Sequence, residues 1–155
     1  MSGPAANEME ISLDEESLKV INLFERVTKA RIKDCIIIEE AEDGTEGKII
    51  FVVQEGQLVQ ALGDKGENVK RLRELLKKSV DIIEYCQRPE RFVRNIFHNY
   101  RLEEVEIQTG TEGRVAHIKV RVTDKGRVIG KGGRNLNLAR KILARHHDIA
   151  NITLE

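Results

Sequence analysis

Two short segments carry residues whose type and spacing could do chemistry. Gly63-Asp64-Lys65-Gly66 and Gly130-Lys131-Gly132-Gly133 each place glycine at both ends of a four-residue stretch. Each is followed, one residue later, by an asparagine, Asn68 or Asn135. Glycine reaches backbone conformations closed to other residues and lets a ligand approach the chain closely. Where a helix begins at such a loop, its free amides and its dipole favour an anion. Bases stand close by: Lys65, Lys70 and Arg71 at the first loop, Arg127, Lys131 and Arg134 at the second. The chemistry these residues suit is capture of a phosphate backbone. Nucleotide hydrolysis is disfavoured on spacing. The phosphate-loop pattern GxxxxGK followed by Ser or Thr is absent. So is GxGxxG, because Gly130-x-Gly132 is followed three residues later by Asn135.

The elements that must position these loops are legible in the periodicity. Ser12 and Glu15 fit a capping box, and Leu13, Val20, Ile21, Phe24 and Val27 share one face of a helix over about 13–29. β-Branched runs predict strands at 31–40, 48–54 and 80–86. A two-turn helix is expected over 55–62, and a second over 67–78 with Val69, Leu72, Leu75 and Leu76 inward. The order then repeats. Pro89 suits the first turn of a helix. Strands follow at 105–109 and 114–122, the latter alternating His117, Lys119 and Arg121 with Ile118, Val120 and Val122. A short helix over 124–129, a helix over 135–146 and a strand over 149–154 close the chain. Residues 61–69 align without gaps on 128–136, so an α+β unit of about 70 residues is used twice. The expected division is a flexible tail over 1–10, a first domain over 11–87 and a second over 88–155, joined by a very short linker that packs the two together. Packed so, the loops would form one track for roughly eight nucleotides, about four per unit.

The formal net charge is zero, with 26 basic and 26 acidic residues. The distribution is not even. Residues 1–60 hold 13 acids and 6 bases, whereas residues 61–155 hold 13 acids and 20 bases. Between Arg114 and Arg145 there are ten bases and one acid, Asp124. That asymmetry suits an anion-binding rear half. Aromatics are 4% with no Trp, and no RNP pattern is present, so stacking-platform modules are disfavoured. The four Phe fit core positions. Val128 and Ile129, with Ala61 and Leu62 in the first unit, suit either the core or the floor of a groove. Cys35 and Cys86 lack metal spacing; reduced buried thiols are expected, with a disulfide between them left open. His146-His147-Asp148 reads as a helix end. No nucleophile triad or carboxylate pair is visible, so no enzyme, cofactor or small-molecule substrate is expected. No apolar run approaches the roughly 18 residues of a membrane span, and no leader pattern opens the chain. The expected location is cytoplasmic, without membrane contact.

Helix–GxxG–helix in this unit is the signature of a KH domain, and the helix-first order resembles its type II arrangement. The chain resembles the tandem KH region of the transcription factor NusA, above all its short archaeal form. The residues that carry the resemblance are Lys33-Asp34-Cys35, Gly63 to Val69, Val80 to Tyr85, Asp124-Lys125-Gly126, Ile129 to Asn135 and Ala144 to Asp148. It implies two tandem type II KH domains, each a three-stranded sheet packed with three helices, that bind single-stranded RNA in transcription elongation or termination. The implied RNA-binding residues are Gly63, Asp64, Lys65, Gly66, Asn68, Lys70 and Arg71, with Arg127, Val128, Ile129, Gly130, Lys131, Gly132, Gly133, Arg134 and Asn135. It leaves RNA polymerase open as a second partner. Bacterial members carry a polymerase-binding N-terminal domain and an OB-fold domain, for which 155 residues leave no room. Asp64 departs from the bases common in such loops, so the second loop is expected to grip more strongly. Two other readings stay open: a KH protein of ribosome assembly or general RNA handling, and a protein-interaction module with degenerate loops.

Overall fold

The computed structural model describes residues 15–155. The capping box expected at Ser12 and the tail over 1–10 lie outside the described residues. Contacts within the chain separate two compact units that divide between Tyr85 and Cys86.

The first unit runs α1 (Glu15–Thr28), β1 (Ile32–Ile38), β2 (Lys48–Val53), α2 (Leu58–Leu62), α3 (Glu67–Leu76) and β3 (Ser79–Glu84). Val20, Phe24 and Thr28 recur at four-residue spacing and form the buried stripe of α1. The Thr28 hydroxyl donates to the Phe24 carbonyl at 2.9 Å and accepts from the Ala30 amide at 3.0 Å. That buried group is thereby satisfied while the chain turns, through left-handed Lys29, into β1. β1 pairs antiparallel with β2, and β2 pairs parallel with β3. A parallel pair demands a crossover. The α2–loop–α3 segment is that crossover, and this is why the glycine loop sits where it does. Phe24 stacks on Phe51 of the central strand with centroids 4.2 Å apart. Each ring is fully buried, a burial that contributes about 2–3 kcal/mol.

The second unit repeats the order: α4 (Pro89–Ile96), β4 (Leu102–Gly110), β5 (Gly113–Val120), α5 (Lys125–Ile129), α6 (Arg134–His147) and β6 (Ile149–Leu154). Its strands pair in the order β4-β5-β6, again antiparallel then parallel. Both sheets shift register near the start of the first strand, at Ile32/Asp34 and at Leu102/Glu104. Phe92, Val93, Ile118, Ile142, Leu143 and Ile149 are buried in this unit. The fold is α+β, with two three-stranded sheets and three α-helices packed with each.

Several details differ from the sequence expectation, among them β4, which begins at Leu102 rather than at 105. α2 begins at Leu58 rather than near 55, because Gly56 at φ 88° and a turn closed by the Gln57 amide on the Gln54 carbonyl occupy the preceding residues. Leu75 is 51% exposed and does not belong to the inward face of α3. Val122 is 82% exposed, because β5 ends at Val120 and the chain then turns through Val122–Asp124. Helix α6 reaches His147. The four Phe are buried, and Cys35 and Cys86 are free buried thiols.

His147 closes the second unit. Its Nε2 donates to the Cys86 carbonyl at 2.7 Å, since that oxygen can only accept. Its ring lies 5.4 Å from that of Phe92. Burial pushes this imidazole below its ordinary value of 6.5, and the positive charges of Arg114 and His146 act the same way. The Cys86 hydrogen bond and Glu90 oppose the shift without cancelling it. The native state therefore binds fewer protons at this group than the unfolded chain. Its contribution is complete above the ordinary value and is lost as the pH falls below it. Thermal unfolding is expected to show a lower midpoint in mild acid than at neutral pH, and His147→Gln should flatten that dependence. An unchanged dependence in the variant would assign the effect elsewhere.

Candidate nucleic-acid interface

Each glycine loop joins two helices with almost no chain between them. The geometry that permits this is unusual and the same in both units. Gly63 sits at φ 75°, ψ 178°, and Gly130 at φ 78°, ψ 165°. That region is essentially confined to glycine. The third and fourth residues of each loop are left-handed: Lys65 at φ 55° and Gly66 at φ 71°, Gly132 at φ 64° and Gly133 at φ 78°. Space is as restrictive as the dihedral. A Cβ on Gly63 would lie 2.7 Å from the Asn68 side-chain nitrogen, and one on Gly130 would lie 2.9 Å from the Asn135 Cγ.

The asparagine explains the crowding. Asn135 Nδ2 donates to the Arg127 carbonyl at 2.9 Å, and Asn68 Nδ2 to the Gln60 carbonyl at 3.3 Å. Those carbonyls belong to the last turn of the preceding short helix and lack intrahelical partners. The amide therefore ties the second helix to the first and packs beneath the loop glycine. Asn68 and Asn135, implied by the family resemblance as RNA-binding residues, hold the loop in shape.

Gly66 and Gly133 are the N-caps of α3 and α6, and neither helix has a side-chain cap hydrogen bond. First-turn amides have no acceptor within a helix. With the helix dipole, they make the start of each helix electropositive. Asp64, Lys65, Lys131 and Gly132 are exposed there, and Lys70 and Arg71 are exposed on the second turn of α3.

The two loops differ in charge. Aligned positions pair Asp64 with Lys131, Glu67 with Arg134 and Gln60 with Arg127. The first loop thus carries two acids where the second carries two bases. α3 has Glu67 in its first turn, as the dipole prefers, and α6 has no acid in its first turn. Arg127 pairs with Asp124 at 2.7 Å, with the arginine side chain 72% exposed and the carboxylate 17%. Such a pair is worth about 1 kcal/mol at most. Its effect is to tie the guanidinium to the residue that caps the start of α5.

Val128 is corrected. It is fully buried, as is Ala61 at the matching position, so both side chains belong to the core and not to a groove. Ile129 and Leu62 are half-buried beside the loops. Three supporting residues were not foreseen. Gln57 Oε1 accepts from the Arg31 amide at 2.9 Å, and Gln60 Nε2 donates to the Thr28 carbonyl at 2.8 Å, bracing α2 against the end of α1. No motif announces those contacts. The third, Asp124, was legible in its three-residue spacing from Arg127. Among the described residues there is no metal-binding cluster of His, Cys, Asp or Glu, and no helix long and apolar enough to cross a membrane.

The order α–β–β–α–α–β, with a parallel edge and a glycine loop between the last two helices, defines the KH domain in its type II arrangement, here present twice. Comparison with known proteins narrows the class. The family described as NusA-like second KH domain matches residues 89–154, and the family described as KH domain matches residues 20–108. A probable transcription termination protein NusA of Methanocaldococcus jannaschii is 37% identical over 142 residues, covering 92% of this chain and 74% of the relative. A protein of the same name from Halobacterium salinarum is 32% identical over 146 residues, covering 94% of this chain and 99% of the relative. The crystal structure of APE1850 superposes with a TM-score of 0.69 at 33% identity, covering 89% of this chain and 96% of that one. The chain belongs to the NusA-like family of KH proteins, and archaeal members match it over more than nine-tenths of its length.

The loop geometry makes a graded prediction for urea unfolding. Gly130→Ala forces a Cβ against Asn135 in a glycine-only conformation and should cost about 2–3 kcal/mol. Gly132→Ala meets open space at a left-handed position and should cost about 1 kcal/mol. Asn135→Ala, which loses the bond to the Arg127 carbonyl, should cost about 1–2 kcal/mol. Equal costs for the two glycine variants would contradict the packing described.

Proposed function

We propose that this chain is a single-stranded RNA-binding factor of transcription elongation and termination, and that the second glycine loop is its principal phosphate clamp. The observation that carries this reading is the charge at matched loop positions. Lys131 and Arg134 stand where the first unit has Asp64 and Glu67. Arg134 occupies the first residue of α6, where the helix dipole by itself favours an acid. A base in that place reverses the dipole's preference, as a site for phosphate would require.

In this reading a backbone phosphate accepts hydrogen bonds from the first amides of α6. Lys131 and Arg134 supply the charge, and Arg127 adds what Asp124 leaves of its own. About four nucleotides pass each loop. Contacts of this kind set register and orientation and carry no sequence information by themselves. The first loop repels phosphate through Asp64 and grips less. Covalent connection to the second still raises its effective concentration at the same strand. The work done is binding, with no bond made or broken. The relatives are named as termination proteins. Carried to this chain, that makes the nascent transcript the RNA partner and puts RNA polymerase at hand as the second.

The test is affinity for a mixed pool of short single-stranded RNA across a salt series. The unaltered protein should bind at micromolar concentration or tighter, with each neutralised phosphate contributing about −0.7 to the log–log slope. Lys131→Asp with Gly132→Asp should weaken binding at least about tenfold and flatten the slope, with the fold intact by circular dichroism. Asp64→Lys should act oppositely and tighten binding. Equal affinity of the unaltered and doubly substituted proteins would remove the clamp from the second loop.

A further inference from the structure

A second cationic surface lies in the second unit, outside the basic stretch from Arg114 to Arg145. Arg88 caps α4, and Arg91 and Arg94 follow at three-residue spacing. All three are exposed, as is Arg101 beyond the helix. Successive arginines rise about 4.5 Å along the axis on one side of the helix. They border two clefts. One of about 680 Å³ is lined by Arg88, Arg91, Arg94 and Asn95, with Glu90 the single carboxylate. The other, of about 360 Å³, is lined by Arg94, His98, Asn99, Tyr100, Arg101 and Leu102. Arg94 belongs to both. Its Nη1 donates to the Leu102 carbonyl at 2.9 Å, which fixes the guanidinium between the clefts at the cost of one of its five donors.

This surface is remote from the glycine loop of the same unit. The Phe92 ring of α4 lies 5.4 Å from the ring of His147, the last residue of α6. The loop is at the other end of that helix, about 20 Å away along its axis. One phosphate seat cannot serve both places.

We propose that the α4 face binds a further stretch of single-stranded RNA, beyond the nucleotides held at the glycine loop, with Arg91 and Arg94 on one phosphate, Arg101 on the next and a base stacked on Tyr100. This rests on the RNA-binding reading above. One observation selects nucleic acid over an acidic peptide. The cations are all arginine, whose planar fork pairs with phosphate and carboxylate oxygens alike. The smaller cleft, however, sets an aromatic ring among them, the combination by which single strands are held through backbone charge and base stacking. A glutamate-rich peptide would satisfy the arginines and leave Tyr100 without a base to stack.

The test compares the full chain with Arg91→Glu/Arg101→Glu and with Tyr100→Ala, using single-stranded RNAs of about five and about fifteen nucleotides, one shorter and one longer than the two loops together can occupy. The charge reversal should weaken the longer RNA about tenfold and flatten its salt slope by about 1.4, for two phosphates, while leaving the shorter RNA unchanged. Tyr100→Ala should weaken the longer RNA without changing its slope. Unaltered affinity of both variants for the longer RNA overturns the proposal. If Lys131→Asp/Gly132→Asp abolishes binding while these variants do not, the α4 site alone fails. If the unaltered protein binds neither RNA, the RNA-binding reading fails and this one with it. A glutamate-rich peptide that binds the unaltered protein and is lost on charge reversal, with RNA unaffected, overturns the proposal in favour of a protein partner.

Discussion

An asparagine amide holds each glycine loop shut, and the function assigned to this fold depends on that joint. The central strand of each sheet pairs parallel with the last strand, so the chain must cross over between them. Two helices and a four-residue loop do so. The joint is tight enough that Gly63 and Gly130 adopt a conformation other residues avoid, with no room for a Cβ. Asn68 and Asn135 fill that space and donate to the mid-helix carbonyls of Gln60 and Arg127 in the short helices. The result is a fixed direction for the amides that open α3 and α6. An anion seat needs that rigidity, because amides that had to be ordered by the ligand would bind it more weakly.

On this shared frame the two units carry different charge. The first loop obeys the preference of a helix for acids at its start, with Asp64 and Glu67. The second reverses it with Lys131 and Arg134. Departures from local rules concentrate where function requires them. The same logic applies to Lys65, a left-handed lysine where the second loop has Gly132. Its side chain keeps one positive charge in a loop otherwise acidic, at the conformational cost of a Cβ in that region.

Much of this was legible in the residues. The GxxGxN pattern encodes a backbone path and its filler locally, so two copies in matching context exposed the duplicated unit and both loops. Strand and helix identity followed from periodicity, with ends displaced by a few residues. What escaped has a common cause. α2 and α5 are five residues each, too short for periodicity to reveal which face turns inward, and so Ala61 and Val128 were open to a groove role that their burial excludes. The bracing of α2 by Gln57 and Gln60 joins residues 26 and 32 apart in sequence, and nothing in either neighbourhood signals it. Val122 fitted the alternation of β5, but the strand ends before it. The arginines of α4 were each visible, yet their clefts depend on the turn that brings Tyr100 and Leu102 back beside Arg94.

The central claim is that backbone amides at the second loop, rather than diffuse basic surface, receive the phosphate. An amide-resolved NMR titration with a short single-stranded RNA tests it most directly. The account predicts saturable shifts at Gly132, Gly133, Arg134 and Asn135 at low RNA, with Gly66, Glu67 and Asn68 following only at higher concentration. Shifts scattered over exposed lysines and arginines, with both loops silent, would contradict it.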